Sequence, residues 1–241
     1  MHGSRQTPLT FLLILILLIG VTPAATSAGE EPAPCTEDAM LVFDASGSMS
    51  GNGWGYGSEN PTAVSRIDRV RTALAKILPN ITRMRRVGLI TYGPGPYQQC
   101  NVKLEFGPTE KAGAKIMAVI DKLSPAGQTP LTSAVRQAAE LLRFREKPGV
   151  VVLLTDGEET CGGKPCELGK TLRREAARLT VHVIGLRVKN YSWVGEQSVF
   201  DVKCLVQQNG GNYLTVETEA ELIDALDQTL GCPMVTQRAT R

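Results

Sequence analysis

Strand-like and helix-like patterns of apolar residues alternate along this chain. Nearly continuous apolar runs predict buried strands at 40–43, 87–90, 150–154 and 181–186. The segments between them predict helices near 67–78, 116–123, 131–142, 167–178 and 197–208, most of them from apolar residues that recur every three or four positions. The first helix is expected to stop at Pro79, because proline disfavours a helix interior.

Two further segments complete the predicted elements. Residues 101–106 alternate between an apolar face and a polar face, with Val102, Leu104 and Phe106 on the first and Lys103 and Glu105 on the second. This alternation is typical of an antiparallel edge strand. A short strand near 213–214 precedes the capping box Thr218-x-x-Glu221, which begins a last helix. The whole pattern predicts an α/β fold with a doubly wound, Rossmann-like sheet of six mostly parallel strands, one antiparallel edge strand, and helices on both faces.

The first 28 residues have the character of a secretory signal peptide. Arg5 precedes an apolar stretch over 9–21, and small residues follow it up to Ala28. A retained membrane anchor is the alternative, but the apolar stretch is short for a span of about 20 residues. We therefore expect a signal peptide over 1–28, a linker over 29–37, the folded domain over 38–232 and a polar tail over 233–241. The protein is then secreted or periplasmic, and it meets the membrane only during export.

The charge of the chain excludes some partners. The formal net charge is +2, and it becomes +1 when Arg5 leaves with the signal peptide, which carries no acidic residue. So small a charge gives no reason to expect nucleic acid or an acidic membrane surface as a partner.

Six cysteines follow the signal peptide, and an even number in an exported chain predicts three disulfides. We expect a local Cys161–Cys166 loop and a Cys35–Cys232 bond, since the termini of domains often lie close together. Elimination leaves Cys100–Cys204. A zinc cluster is the alternative reading of Cys161-x4-Cys166, but no second close pair of Cys or His accompanies it, and His182 lies in a strand pattern.

The residues Asp44-Ala45-Ser46-Gly47-Ser48 carry the candidate chemistry. They follow the first predicted strand directly, at the sheet edge where open α/β folds bind ligands. One carboxylate and two hydroxyls at alternate positions can face one hard cation such as Mg²⁺. Alternatively, Asp44 and Ser46 only cap the turn that follows.

Two later positions favour the metal site. Thr129 lies in Gly127-Gln128-Thr129-Pro130-Leu131, just before a predicted helix, and Asp156 follows the most apolar strand. With the Asp-x-Ser-x-Ser turn, they make the chain from about 38 to 230 resemble the von Willebrand factor type A domain. The stretch 155–166 is most similar to exported bacterial members of that family. The resemblance implies a metal-ion-dependent adhesion site that holds Mg²⁺ or Mn²⁺, with these ligands: Asp44, Ser46, Ser48, Thr129 and Asp156.

Two neighbouring features are open to two interpretations each. Trp54 and Tyr56 lie among alternating glycines just after the metal turn. They belong either to a loop that contacts a ligand or to a surface excursion. Glu158 and Glu159 either add ligands or selectivity to the site, or are acidic residues of an exposed loop.

The predicted function is binding without catalysis, and we expect no catalytic residues. By the resemblance, a cation with only two charged ligands stays electrophilic, so an exposed acidic residue of a partner protein can complete its coordination. One alternative is a metal-assisted hydrolase of the phosphatase kind, but the chain has no suitable histidine base and no second carboxylate cluster. The other is an assembly subunit of an envelope complex that keeps the fold and barely uses the metal.

Overall fold

A computed structural model describes most of the predicted domain, over residues 35–51, 64–96, 99–186 and 196–232. The predicted signal peptide, residues 29–34 of the linker, Trp54, Tyr56 and the tail over 233–241 lie outside the described residues. The interpretations placed on those segments therefore stay predictions.

The described strands form one six-stranded sheet in the order β3-β2-β1-β4-β5-β6. All neighbours are parallel except β2 and β3, which are antiparallel and put β3 at an edge. The fold class predicted from the sequence is thus confirmed. The strands are β1 (Asp38–Asp44), β2 (Val87–Tyr92), β3 (Val102–Thr109), β4 (Pro148–Thr155), β5 (Arg178–Leu186) and β6 (Tyr213–Val216).

Helices cover both faces of the sheet. On one face, α1, α2 and α6 pack on side chains such as Leu41 and Val152. On the other face, α3, α4 and α5 pack on alternate residues such as Val42 and Val151. Because β1 and β4 are buried on both faces, their apolar runs are continuous. The helices are α1 (Arg66–Met84), α2 (Gly113–Ile120), α3 (Leu131–Leu141), α4 (Pro165–Glu175), α5 (Glu196–Gln208) and α6 (Glu219–Thr229).

Helix α1 does not stop at Pro79, so that prediction was wrong. The helix continues to Met84, and Ile81 and Thr82 beyond the proline are buried. Proline removes one helical hydrogen bond, and the burial of this last turn against the core offsets the loss. The predicted capping box of α6 is present, with Thr218 and Glu221 bonded reciprocally.

The single apolar face predicted for β3 was also wrong. Its pairing with β2 shifts register on both sides of Leu89. A register shift of one residue changes the face on which a side chain lies. Val102 and Phe106 accordingly pack on opposite faces of the sheet, while Leu104 is 39% exposed. Glu105 is instead largely covered and accepts a hydrogen bond from the Thr91 hydroxyl.

All six cysteines are paired, and one of the three predicted disulfides is present. Cys35–Cys232 is present and joins the two ends of the described domain. The predicted Cys161–Cys166 and Cys100–Cys204 bonds are wrong, because the bonds are Cys100–Cys161 and Cys166–Cys204. The reason is that Cys166 belongs to the first turn of α4, which packs on α5 and Cys204. Cys161 stays in the loop after β4 and meets Cys100 from the loop after β2.

None of the helices within the described segments combines the length and the apolar composition needed to cross a bilayer.

Candidate metal centre

The five predicted ligands lie on three loops at the carboxyl edge of the sheet. Asp44 is the last residue of β1, and Ser46 and Ser48 belong to a tight 3₁₀ turn that follows it. Asp156 comes directly after β4, the parallel neighbour of β1. Thr129 lies on the third loop, two residues before α3.

Asp44 is wholly buried and is oriented by two hydrogen bonds. Its Oδ1 accepts from the Ser46 backbone N–H at 2.7 Å, and its Oδ2 accepts from the Thr155 hydroxyl at 2.6 Å. Thr155 is therefore part of the site, although the sequence pattern did not single it out. A signal was present, since β1 and β4 pair Phe43 with Leu154 and so place the next residue of each strand side by side.

The serine hydroxyls connect the first loop with Asp156. Ser48 Oγ donates to Asp156 Oδ1 at 2.6 Å, and the hydroxyls of Ser46 and Ser48 are 3.1 Å apart. Three oxygen-bearing side chains from two loops thus form one connected group.

The loop after β4 also holds Thr129 in place. The Thr129 N–H donates to the Thr160 hydroxyl at 2.8 Å, and the Thr160 N–H donates to the Thr129 carbonyl at 3.1 Å. Glu159 accepts from the backbone N–H of Thr132, in the first turn of α3, and from that of Cys161. Both carboxylate oxygens of Glu159 thus accept from backbone N–H groups, one of them in the first turn of α3.

Gly157 shows that the hydroxyls of Ser48 and Thr129 lie beside the same position. A methyl group built on Gly157 would lie 3.7 Å from both Ser48 Oγ and Thr129 Oγ1. The two hydroxyls therefore border the same small volume beside Asp156. Carboxylate and hydroxyl oxygens are the donors that hard divalent cations take, so this set of residues fits Mg²⁺ or Mn²⁺.

The composition of the group explains why it stands apart from carboxylate-rich metal sites. Within the described segments, no three residues of the His, Cys, Asp and Glu types cluster closely enough to hold a metal. The group has two carboxylates, Asp44 and Asp156, and its other oxygens are neutral hydroxyls.

Two glycines allow the loop after β2, which carries Gly93, to pack closely on two of the three ligand loops. Gly93 has φ +81°, and a Cβ at this position would lie 2.5 Å from the Ser46 nitrogen. A Cβ at Gly127 would lie 2.9 Å from the Gly93 carbonyl oxygen. The backbone of Gly127 donates to Gly93 and accepts from Gly47. Larger side chains at Gly93 or Gly127 would push the loops apart.

Burial makes both carboxylates hard to ionise in the absence of a cation. Desolvation raises the pKa of Asp44, although hydrogen bonds from Ser46 and Thr155 oppose the rise. Desolvation and then the charge of Asp44 raise the pKa of Asp156 to about 7. Burial and the nearby Asp44 also raise the pKa of Tyr92 well above that of free tyrosine. The Tyr92 hydroxyl, at the end of β2, is buried beside Asp44 and Thr155.

Arg66 brings a positive charge to the group. Its Nη1 lies 3.0 Å from Asp156 Oδ2 and donates to the Ser48 carbonyl oxygen at 2.5 Å. Arg66 is the first residue of α1, and nothing in the sequence pattern indicated its contact with the site.

His182 is engaged elsewhere, on β5. Its Nδ1 accepts from the Asn212 backbone N–H at 3.0 Å. Burial, together with the charge of Arg85, lowers the pKa of His182 to about 4. The imidazole is therefore neutral at physiological pH.

The family of the chain follows from its sequence. The sequence profile of the von Willebrand factor type A domain matches residues 39–159, which is half of the chain. The chain belongs to the von Willebrand factor type A domain family.

Two proteins of Bacillus subtilis (strain 168) are similar over nearly the whole chain. The uncharacterized protein YwmC is 26% identical over 226 residues, covering 88% of this chain and 92% of YwmC. The uncharacterized protein YwmD is 27% identical over 224 residues, covering 89% of this chain and 93% of YwmD.

Solved structures share the fold at low sequence identity. The von Willebrand factor domain of the type V pili tip protein Mfa5 from Porphyromonas gingivalis has a TM-score of 0.58 at 12% identity, covering 83% of this chain and 94% of that one. The PilB minor pilin from Streptococcus sanguinis has a TM-score of 0.58 at 17% identity, covering 82% of this chain and 61% of the pilin chain. Proximal thread matrix protein 1 of the mussel byssus, whose metal-ion-dependent adhesion site (MIDAS) motif is occupied by zinc, has a TM-score of 0.52 at 19% identity. The match covers 83% of this chain and 46% of the byssus protein chain. At these identities the likeness concerns the fold.

Proposed function

We propose that this protein is an exported binding module that captures a partner protein through a divalent cation. Asp44, Ser46, Ser48, Thr129 and Asp156 would hold Mg²⁺ or Mn²⁺, and an acidic side chain of the partner would complete the coordination. The observation that carries the proposal is the meeting of these five side chains, from three loops, at one sheet edge. When bound, the ion supplies an electrophilic centre that attracts an anionic ligand.

The charges of the site favour an acidic partner. Two carboxylates balance the charge of a divalent ion, and the Arg66 guanidinium leaves one positive charge in excess. Ser48, on the first loop, is exposed, so the site is open to a partner at this edge. An anionic group approaching it is attracted by charge as well as by the vacant coordination position of the ion.

The relatives and the disulfides support binding outside the cytoplasm. The similar structures include a minor pilin, the domain of a pili tip protein, and a byssus protein whose motif holds zinc. Three disulfides are typical of chains that fold in oxidising compartments. A module of this kind needs no catalytic residue, and we assign none.

A metal-dependent capture experiment tests the proposal. The immobilised protein is incubated with the extracellular or periplasmic fraction of its source, with Mg²⁺ or with a chelator. We expect the same proteins to be retained only with Mg²⁺, and not by Asp44→Asn. Blocking the carboxylates of the fraction with a carbodiimide and an amine should abolish retention. Capture that is indifferent to both chelator and carboxylate blocking would contradict the proposal.

Metal binding is expected to depend on pH. The ion needs Asp156 ionised, and the pKa of this group in the metal-free protein is about 7. Below that pH the apparent affinity for Mn²⁺ should fall by up to about tenfold per pH unit, because one proton must leave for each ion bound. Calorimetric titration with Mn²⁺ between pH 5 and pH 8 measures this slope, and a flat profile would contradict it.

The same pKa sets the stability of the metal-free protein. Folding raises the pKa of Asp156 from 3.8 to about 7, so the folded state binds the proton more tightly than the unfolded state. Stability in a chelator should therefore decrease as the pH rises from about 4 to about 7. Added Mn²⁺ should reverse this trend, which thermal unfolding at each pH will detect.

A further inference from the structure

The contact between Arg66 and Asp156 is the basis of a further inference. The Arg66 side chain is 12% exposed and that of Asp156 is fully covered, so solvent screens the pair weakly. Arg66 uses Nη1 for both Asp156 and the Ser48 carbonyl. Its Nε is buried and has no hydrogen-bond partner among the described residues. The guanidinium is thus directed at the carboxylate without full satisfaction of its own donors.

The backbone around Arg66 is built to bring the guanidinium to this point. The Arg66 N–H donates to the Gly51 carbonyl at 3.1 Å, which joins the start of α1 to the 3₁₀ turn. A Cβ at Gly51 would lie 3.0 Å from Arg66 Nη1, so glycine leaves room for the guanidinium. Asp156 therefore has a cation beside it within the chain itself.

We propose that Arg66 is a resident counter-cation that sets the metal affinity of the site. This inference rests on the proposed function, because it concerns the same ion. In the metal-free protein Arg66 neutralises one of two buried carboxylates. A bound divalent ion competes with it for Asp156 and is repelled by it. Loss of the guanidinium therefore favours the bound ion while it destabilises the metal-free state.

The direction of this effect separates it from a structural role. If Arg66 served only to hold α1 against the turn that carries Ser48, its loss would leave Ser48 less well positioned and would weaken metal binding. If Arg66 is a counter-cation, its loss has the opposite effect on metal affinity, because removing a positive charge close to the ion strengthens the binding of the ion. Arg66 is a positioning residue in this scheme and does not touch the ion.

Calorimetric titration with Mn²⁺ at pH 8 tests the proposal on the full exported chain. We expect Arg66→Gln to bind Mn²⁺ at least about tenfold more tightly than the wild type. Arg66→Lys keeps the charge and should stay close to the wild type. Arg83→Gln removes the same charge from an exposed position in the last turn of the same helix, and it should change nothing.

A second measurement needs no metal. In a chelator, Arg66→Gln should lower the melting temperature by roughly 5–10 °C, because Asp156 loses its partner. In an Asp156→Asn background, the same change should have a much smaller effect. An equal effect in both backgrounds would mean that Arg66 acts only through its contacts with the turn, and it would overturn the proposal.

The outcomes separate this inference from the proposed function. If the wild type binds Mn²⁺ and Arg66→Gln binds it equally or more weakly, the role of Arg66 is overturned and the metal site stands. If neither protein binds Mn²⁺, both proposals fail. Tighter binding by Arg66→Gln alone, with Arg66→Lys unchanged, supports both.

Discussion

Asp44→Ala is expected to abolish metal binding, with a loss of affinity of at least about a hundredfold. Asp44 is one of only two carboxylates in the proposed site, and the other oxygens are neutral. It is wholly buried, and two hydrogen bonds orient its oxygens. Without it, a divalent ion would face a single negative charge and the positive charge of Arg66.

Two variants make this result interpretable. Asp44→Asn keeps the size of the side chain and is expected to remain folded, so it should lose metal while circular dichroism stays unchanged. Glu110→Gln removes an exposed carboxylate just after β3, at the sheet edge opposite the site, and it should bind Mn²⁺ like the wild type. Calorimetric titration of the set gives the comparison. Equal metal uptake by Asp44→Ala and the wild type would remove Asp44 from the site.

Loss of the Cys35–Cys232 bond is expected to have the largest effect on stability. The bond spans 197 residues, and the other two disulfides bypass 61 and 38 of them, which leaves an effective loop of about 100 residues. By the chain-entropy model, closing such a loop contributes up to about 4.7 kcal/mol. We expect Cys35→Ser/Cys232→Ser to lower the free energy of unfolding by about 2–5 kcal/mol.

Guanidinium denaturation of the double variant measures this loss, and metal binding provides the control. Cys35 lies before β1, at the sheet edge opposite Asp44. The folded double variant should therefore bind Mn²⁺ with wild-type affinity. Unchanged stability would show that the bond does not constrain the unfolded chain, whereas altered metal affinity would show that the two edges of the sheet are coupled.

The sheet could be predicted from the sequence because burial on both faces imposes an unambiguous pattern. The run over 150–154 is central, and β4 extends it by only a few residues. The faces of β3 could not be predicted, since the irregular pairing around Leu89 depends on how two strands meet. The extension of α1 beyond Pro79 has a similar cause, because the packing of its last turn is a tertiary property.

Some residues of the candidate site could likewise be predicted from the sequence, and others could not. Asp44 and Asp156 follow apolar strands, and parallel strands bring their carboxyl ends together, so their meeting could be predicted. Thr160 and Glu159 act through backbone contacts between loops, and spacing along the chain does not encode such contacts. Arg66 follows a long segment after the metal turn, and no periodicity relates it to Asp156. The predicted bond between Cys161 and Cys166 was wrong because proximity in sequence does not fix the direction of a side chain.

The two glycines between the loops determine how the site could be transferred to another scaffold. The loops that carry the five ligand side chains are packed at Gly93 and Gly127. A Cβ at either glycine would collide with the main chain of a neighbouring loop. A graft of the ligands alone onto a similar sheet would therefore place them on loops spaced too far apart. A transferable unit comprises the ligands together with both glycines, and it is defined by the distance between main chains as much as by the chemistry of its side chains.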